Sequence, residues 1–188
     1  EYIDTQTFTV TVANVNDAPV LSQVSDVSFD EDGSSDSVTL SATDPDIDDD
    51  LTYSITGGDQ ITATQTDAEI TFAAAADFNG TETFTVSVSD AEYTDSQIMN
   101  VTVNAINDAP VFDAVADQDI NEGDTKVILL SAVDVDGDDL TYSITEGTNI
   151  ESSIDGSTVA FSLENNDDYF GFEEFTVSVT DGAFIDSQ

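Results

Sequence analysis

The chain has 188 residues, of which 41 are acidic and one, Lys126, is basic, so its formal net charge at pH 7 is −40. The absence of histidine, cysteine and arginine excludes Ser-His-Asp and Cys-His nucleophile systems, and the His and Cys ligand sets of zinc, copper and iron–sulfur sites. So large a negative charge makes nucleic acid and anionic membranes poor partners, and it favours cations held by oxygen ligands. No apolar run approaches the roughly 18 residues that span a bilayer, so membrane insertion is not predicted.

The chain repeats itself. Residues 16–20, Asn-Asp-Ala-Pro-Val, recur 91 positions later at 107–111, and Phe-Thr-Val-Ser-Val occurs at 84–88 and again at 175–179. A repeat of this length is close to the roughly 100 residues of a β-sandwich domain. The sequence therefore predicts two tandem modules.

Strand signals follow one another along each repeat. In residues 83–89 apolar side chains alternate with Thr and Ser, so that Phe84, Val86 and Val88 face one way, which is typical of a half-buried antiparallel strand. No segment carries the apolar stripe of an amphipathic helix, so we predict an all-β fold of two antiparallel β-sandwiches with Greek-key connections. The predicted strands lie near 36–42, 51–56, 68–73, 83–89 and 96–104, and near 126–132, 139–145, 157–163 and 173–180.

The repeat divides the chain into three parts. Residues 1–15 correspond to the last strand of a preceding module and its linker, residues 16–104 to module 1, and residues 105–188 to module 2. Gln188 corresponds to Gln97, so module 2 is expected to lack most of its last strand.

Residues 7–13, Thr-Phe-Thr-Val-Thr-Val-Ala, correspond to residues 98–104 of module 1. Because unpaired strand edges recruit strands, one hypothesis is that residues 7–13 of one copy add to module 2 of another and link copies into a homopolymer. The alternative is that the sequence is a piece of a longer chain.

Acidic residues recur at matching places between the predicted strands, which distinguishes them from an evenly charged surface. Calcium takes about six to eight oxygen ligands, and alternating carboxylates on a tight loop can present several of them to one ion. The first Asp-x-Asp pair is followed by Asp48, Asp49 and Asp50, and the second by Asp138 and Asp139. The matching acidic residues are Asp44 and Asp46 with Asp134 and Asp136, Glu31 with Glu122, Asp77 with Asp168, and Asp90 with Asp181.

Other interpretations of these carboxylates stay open. A lone Asp-x-Asp pair is weak evidence for a calcium site. Adaptation to high salt also produces acidic surfaces, and it is compatible with metal binding by the same chain. Two carboxylates can act as the acid and base of a glycosidase when they lie about 5 to 9.5 Å apart across a cleft, which a small tandem sandwich rarely offers. The chain is therefore predicted not to be an enzyme.

Over nearly its whole length the sequence resembles cadherins and the cadherin-like or immunoglobulin-like tandem repeats of large bacterial surface proteins and adhesins. The resemblance lies in an early Glu, an Asp before the late strands, an Asn-Asp-Ala-Pro linker, an Asp-x-Asp loop and a late Asp. It implies cadherin-like or Ig-like sandwiches, an extracellular location, and Ca²⁺ bound between successive modules. The linker is one residue shorter than the Asn-Asp-Asn-Ala-Pro of cadherins, so the number of ions per junction stays open.

The resemblance also implies ligand sets. One complete junction would use Glu31, Asp77, Asn107, Asp108, Asp134, Asp136 and Asp181. The receiving half of an earlier junction would use Asn16, Asp17, Asp44, Asp46 and Asp90. Glu122 and Asp168 would form the donating half of a later junction, and we expect such half-sites to bind weakly or only in an assembly.

These expectations favour a structural repeat of an extracellular fibre, stalk or adhesin, in which Ca²⁺ stiffens the junctions and the partners are neighbouring repeats. The rival interpretation is an adhesive module that recognises a glycan or a partner protein through its loops or a sheet edge. Few aromatic residues fall in the predicted loops, which argues against a glycan.

Overall fold

A computed structural model describes residues 2–47, 49–163 and 168–188, so that Asp48 of the first predicted loop lies outside the described residues. The chain forms two compact units, unit 1 of Glu1–Ala105 and unit 2 of Ile106–Gln188. The described residues form strands and turns, which confirms the all-β prediction. Within this part of the chain, no helix has the length and apolar character needed to cross a membrane.

The described residues of unit 1 form three sheets. Their strands are β1 Val20–Leu21, β2 Val27–Asp30, β3 Val38–Thr39, β4 Ala42–Thr43, β5 Thr52–Gly57, β6 Ile61–Thr66, β7 Glu69–Ala74, β8 Gly80–Ser89 and β9 Thr94–Asn104. A four-stranded sheet has the order β2-β9-β8-β5, a three-stranded sheet has the order β3-β7-β6, and β1 pairs with β4.

The four-stranded sheet differs from the expected arrangement in one pairing. All described strand pairs are antiparallel except β2 and β9, which run parallel and place Val27 opposite Val101. Parallel partners need a long crossover connection, and here the chain passes through the second sheet between the two strands. The sequence signals of neighbouring antiparallel strands therefore could not predict this pair.

The core of unit 1 lies along the alternating side chains of β8 and β9. Phe84, Val86 and Val88 are fully buried, as the period-two pattern predicted. Met99 lies directly opposite Phe84 in the ladder. The ring of Phe84 packs edge-on against Phe72 of β7, with centroids 5.1 Å apart, and so joins the two sheets.

Unit 2 repeats this plan with differences in strand length. Its described strands are β10 Val111–Phe112, β11 Thr125–Leu129, β12 Ala132–Val133, β13 Thr141–Ile144, β14 Glu151–Asp155, β15 Thr158–Ser162, β16 Val177–Thr180 and β17 Ile185–Ser187. They form sheets of the orders β13-β16-β17, β11-β15-β14 and β10-β12. The strand at 173–180 is shorter than predicted, because among the described residues only Val177–Thr180 finds ladder partners.

An Asp-x-Gln pair attaches the first strand of each unit to the sheet. In unit 1 the Asp95 carboxylate accepts the N–H of Leu21 at 2.8 Å, and the Gln97 side chain bonds both Val24 N and Leu21 O at 3.0 and 2.9 Å. The bonds of unit 2 are Asp186 to Phe112 N at 2.9 Å, and Gln188 to Val115 N and Phe112 O at 3.0 and 3.3 Å. The backbone just after each linker is thus held at a defined place.

Candidate metal-binding loops

The Asp44 loop of unit 1 is built by a local hydrogen bond. The loop follows β4, and its turn is closed by the N–H of Asp46, which donates to Oδ1 of Asp44 at 2.8 Å. Such a bond is an ordinary Asx turn, and here it leaves the second oxygen of Asp44 facing inward.

The linker residues 14–17, at the start of the repeat in unit 1, are bonded to this loop. Both oxygens of Asp46 accept bonds, from Asn14 Nδ2 and from the Asp17 N–H, each at 2.7 Å. Asn16 donates through Nδ2 to Oδ2 of Asp90 at 2.9 Å. Hydrogen bonds thus connect the predicted receiving residues Asn16, Asp17, Asp44, Asp46 and Asp90 in two groups, one around Asp46 and one around Asp90.

Unit 2 repeats three of these bonds, but not the one from Asn14, because Ala105 stands at its place. The Asp108 N–H donates to Oδ2 of Asp136 at 2.7 Å, and Asn107 Nδ2 donates to Oδ2 of Asp181 at 2.8 Å. The Asp136 N–H closes the turn on Oδ1 of Asp134 at 3.0 Å. The five predicted residues that belong to unit 2 therefore occupy equivalent places to those of unit 1.

Hydrogen bonds keep several of these carboxylates ionised. The N–H of Asp17 and then the Asn14 amide lower the pKa of Asp46. The N–H of Tyr93 and then the Asn16 amide lower the pKa of Asp90. In unit 2 the N–H of Phe184 and then the Asn107 amide lower the pKa of Asp181.

Carboxylates also crowd one another in both loops. Oxygens of Asp44, Asp46 and Asp49 lie within 4.8 Å of one another. In unit 2 desolvation and then the neighbouring charges, Asp134 foremost, raise the pKa of Asp138. Like charges this close indicate a place where a cation is favoured.

One atom in each loop points more specifically to an ion. Oδ2 of Asp44 and Oδ2 of Asp134 are shielded from solvent and have no hydrogen-bond partner. Buried carboxylate oxygens are expensive to leave unpaired, and a hard cation with oxygen ligands would satisfy them. The donor set of carboxylates and Asn side-chain oxygens fits Ca²⁺.

The predicted donating residues of unit 1 lie after β2 and after β7. Glu31 is only 5% exposed, and its N–H donates to the carbonyl of Asn104 at 3.0 Å. Carboxylate oxygens of Asp32 and Asp77 lie within 4.8 Å of each other, and both residues have positive φ, 60° and 56°. Asp32 was missed because the repeat has Gly123 at its place.

The donating residues of unit 2 lie differently. Glu122 and Asp168 are both exposed, and Glu122 follows a segment that forms no described strand. The prediction that Glu31 and Asp77 share a junction with the residues of the following module stays a prediction.

A second pair of acidic residues, missed by the sequence reasoning, organises a turn in each unit. The Glu82 carboxylate accepts the N–H groups of Asp59, Gln60 and Ile61 at 2.8 to 3.1 Å. In unit 2 Glu173 accepts those of Thr148, Asn149 and Ile150 at 2.7 to 3.1 Å. Glu82 and Glu173 match in the repeat, which is the signal that could have found them.

Comparison with known proteins adds to these observations. The bacterial Ig domain family matches residues 16–102 and 107–187. No curated protein matches the chain.

Solved cadherin structures share the fold. Human protocadherin-24 EC1-2 is 25% identical, with 93% of this chain and 94% of that chain covered and a TM-score of 0.51. Drosophila N-cadherin EC1-4 is 15% identical over 92% of this chain and 48% of that chain, with a TM-score of 0.60. Protocadherin gamma B7 extracellular domains 1-4 are 18% identical over 93% of this chain and 49% of that chain, with a TM-score of 0.57. The chain spans about half the length of the last two.

The resemblance to cadherin-like and bacterial Ig-like tandem repeats, predicted from the motifs, is confirmed. The two matches fall one in each unit and together cover most of the sequence. The chain belongs to the bacterial Ig domain family.

Proposed function

We propose that this chain is a structural repeat of an extracellular fibre, stalk or adhesin, and that its acidic loops bind Ca²⁺. The observation that carries the proposal is the pair of matching loops. In each, a shielded carboxylate oxygen, Oδ2 of Asp44 or of Asp134, lacks a hydrogen-bond partner beside further carboxylates. The absence of histidine and cysteine restricts the choice to cations that accept oxygen ligands.

The residues that would hold the ion are the ones that also hold the linker. In unit 2 the ligands would come from Asp134, Asp136 and Asp181, with Asn107 and Asp108 of the linker. Bound calcium would neutralise carboxylates that otherwise repel one another. The unit 1 ligands would be Asn16, Asp17, Asp44, Asp46 and Asp90.

The mechanical consequence follows from these bonds. Asn107 and the backbone of Asp108 are already hydrogen-bonded to the carboxylates of Asp181 and Asp136. As long as those carboxylates keep their positions, the linker rotates less freely, which stiffens the connection between successive modules. Without a bound cation the negative charges of these carboxylates repel one another, so that the loop opens and the linker is released.

A calcium titration followed by thermal unfolding tests the proposal. We expect calcium to raise the melting temperature of wild-type unit 2, since a ligand at 100 times its Kd stabilises by about 2.7 kcal/mol. Asp136→Asn should show a clearly smaller rise. Asp155→Asn removes the same charge from the end of β14, away from the loop, and should behave as wild type.

Sodium and magnesium salts at matched ionic strength separate binding from screening. If they raise the melting temperature as much as calcium does, or if Asp136→Asn responds as wild type, the loops do not bind calcium and the acidic surface is an adaptation to salt. Small-angle scattering of the full chain with and without calcium then measures the stiffness of the connection between the modules. We expect calcium to narrow the distribution of interatomic distances in wild type and to leave that of Asp136→Asn unchanged.

One observation favours an adhesive role as a second candidate. The side chains of Phe170 and Phe172, on either side of Gly171, are 85% and 83% exposed, which is unusual for two aromatic residues so close together in the sequence. Exposed aromatic rings of this kind contact glycans or partner proteins. Binding of a glycan or protein library that is lost in Phe170→Ser and kept in Asp136→Asn would support this role over the structural one.

A further inference from the structure

The two acidic loops differ in how the second aspartate of each is bonded. In unit 1 both oxygens of Asp46 accept hydrogen bonds, Oδ1 from Nδ2 of Asn14 and Oδ2 from the N–H of Asp17, each at 2.7 Å. In unit 2 the N–H of Asp108 donates to Oδ2 of Asp136 at 2.7 Å, and among the described residues no donor is bonded to Oδ1. Asp136 therefore keeps one oxygen without a donor, whereas Asp46 keeps none.

This difference comes from a single position of the repeat. Asn14 corresponds to Ala105, 91 residues later, and alanine has no side-chain donor. The bond from the linker backbone is present in both units, because an N–H group is available whatever the side chain. Asn14 is thus the residue that distinguishes the bonding of the two carboxylates.

An amide donor and a cation compete for the same carboxylate oxygen. The NH₂ group of an asparagine donates two hydrogen bonds and offers nothing that a metal ion can bind. Hydrogen bonds to an ionised carboxylate are stronger than those between neutral groups. An ion that binds Oδ1 of Asp46 has to displace this donor, or approach it against the positive partial charge of the N–H.

Asp46 belongs to the group of carboxylates around the unpaired atom of its loop. Oxygens of Asp44, Asp46 and Asp49 lie within 4.8 Å of one another, and Oδ2 of Asp44 is shielded from solvent without a hydrogen-bond partner. The N–H of Asp46 closes the turn on Oδ1 of Asp44 at 2.8 Å. The bond from Asn14 therefore restrains a carboxylate that lies among the oxygens proposed to hold the ion.

We propose that Asn14 weakens calcium binding by the loop of unit 1, because it holds Oδ1 of Asp46 in a hydrogen bond that the ion has to break. The inference rests on the proposed function, since it requires that the loops bind Ca²⁺. Asn14 acts through Asp46 and is a positioning residue, not a ligand. The N–H of Asp17 stays on Oδ2, so the linker remains attached when the ion binds.

The residue at this position of the repeat then adjusts the calcium concentration at which a loop fills. Asparagine shifts filling to a higher concentration, and alanine leaves the carboxylate free to bind. Repeats with nearly the same acidic residues can in this way respond to different calcium levels.

Calorimetric titration of the full chain with calcium tests the proposal, with one loop disabled at a time. Asp136→Asn leaves the loop of unit 1 to report, and Asp46→Asn leaves that of unit 2. In the Asp136→Asn background, Asn14→Ala should lower the Kd for calcium about tenfold. Both asparagine and alanine are uncharged, so the change in Kd does not come from screening.

A matched pair of variants controls for the linker itself. Ala105→Asn in the Asp46→Asn background places the amide at the corresponding position of the repeat, and it should raise the Kd by a similar factor. Val15→Ala in the Asp136→Asn background alters an exposed linker side chain that has no donor, and it should leave the Kd unchanged. Thermal unfolding without calcium checks that each variant is folded.

The side-chain amide of Asn14 gives a second, spectroscopic measurement. In calcium-free protein its bonded N–H should exchange with solvent more slowly than that of a free amide. Calcium should release it over the concentration range in which the loop of unit 1 fills, as followed by NMR. The signal is assigned by its loss in Asn14→Ala.

The sign of the change in Kd separates the proposal from its alternatives. A higher Kd in Asn14→Ala would show that Asn14 binds the ion through Oδ1 or holds the linker in the shape that the ion needs. An unchanged Kd, or an Asn14 amide that calcium does not release, would show that the ion leaves this hydrogen bond intact. Either result overturns the inference while calcium binding stands. Absence of calcium binding in wild type overturns the proposed function itself, and this inference with it.

Discussion

Unit 1 and unit 2 carry the same repeat, yet the four-stranded sheet of unit 1 corresponds to a sheet of three described strands in unit 2. The pentapeptide Phe-Thr-Val-Ser-Val lies in the ten-residue strand β8 of unit 1, and its copy contributes to the four-residue strand β16 of unit 2. The difference lies in the neighbour: β8 pairs along its whole length with β9, whereas β16 pairs with the three residues of β17. Strand formation here is set by the available partner more than by intrinsic propensity.

The same contrast extends to an acidic residue. Glu31 is buried and its backbone bonds to Asn104 at the end of β9. Glu122, its counterpart, is exposed after a segment without ladder partners. The linker and Asp-x-Asp loops, in contrast, are alike in both units, because their bonds are made between short segments that need no further strand.

The largest expected effect concerns the central aromatic residue of each unit. Phe84 packs on Phe72 at 5.1 Å and Phe175 on Phe161 at 5.0 Å, but Phe84 is fully buried and Phe175 is partly exposed. Phe84→Ala should therefore destabilise unit 1 by about 3–5 kcal/mol. Phe175→Ala should cost unit 2 clearly less, as measured by denaturant unfolding of each unit.

Phe170→Ala, at an exposed position of unit 2, is the control and should have little effect. Equal costs at Phe84 and Phe175 in monomeric protein would contradict the view that unit 2 is the less completely packed unit.

An intermediate effect, equal in the two units, is expected from the Asp-x-Gln attachment. Asp95→Ala leaves the partly buried N–H of Leu21 without its acceptor, and Asp186→Ala does the same to Phe112. Each change should destabilise its unit by about 1–3 kcal/mol, measured by unfolding or by hydrogen exchange of that N–H. A large difference between the two would show that the strength of the attachment depends on the rest of the sheet as well.

Periodicity predicted the strands whose side chains alternate and whose partners are close in sequence. Residues 83–89 fall in β8 and residues 96–104 in β9, while 51–56 correspond to β5 with a shift of one residue. It did not predict β2, because Val27–Asp30 is short and its partner lies at 101–104. It also overestimated the strand at 173–180, since a pattern does not reveal whether a neighbour is present.

The repeat comparison located the acidic loops more completely than the donating residues. Asp44 and Asp46, with Asp134 and Asp136, were found because two copies of one local turn keep the same residues. Asp32 was not, because only unit 1 has an acidic residue there. The burial of Glu31 could not be predicted either, since it depends on a parallel strand pair that spans the whole module.

The smallest expected effect concerns the carboxylates that hold a turn in each unit. Partial desolvation alone would raise the pKa of Glu82, but the N–H groups of Gln60, Asp59 and Ile61 together lower it below its ordinary value of 4.5. The pKa of Glu173 is lowered in the same way by Ile150 and Asn149. The pKa of each carboxyl is lower in the folded than in the unfolded state. The stabilisation that the ionised carboxylate provides is therefore complete when the pH lies above the unfolded-state pKa, and it is lost as the pH falls through the folded-state pKa.

Glu82→Gln should therefore be less stable than wild type near neutral pH, and the difference should shrink below about pH 4.5. Glu173→Gln should behave likewise, since this turn is the same in both units. Denaturant unfolding across that pH range measures both, with Glu69→Gln on the exposed face of β7 as the control for loss of one charge. The effect is small because both carboxylates lie near solvent, where screening weakens them. A difference that stays constant down to low pH would mean that the turn is held by packing and not by the ionised carboxylate.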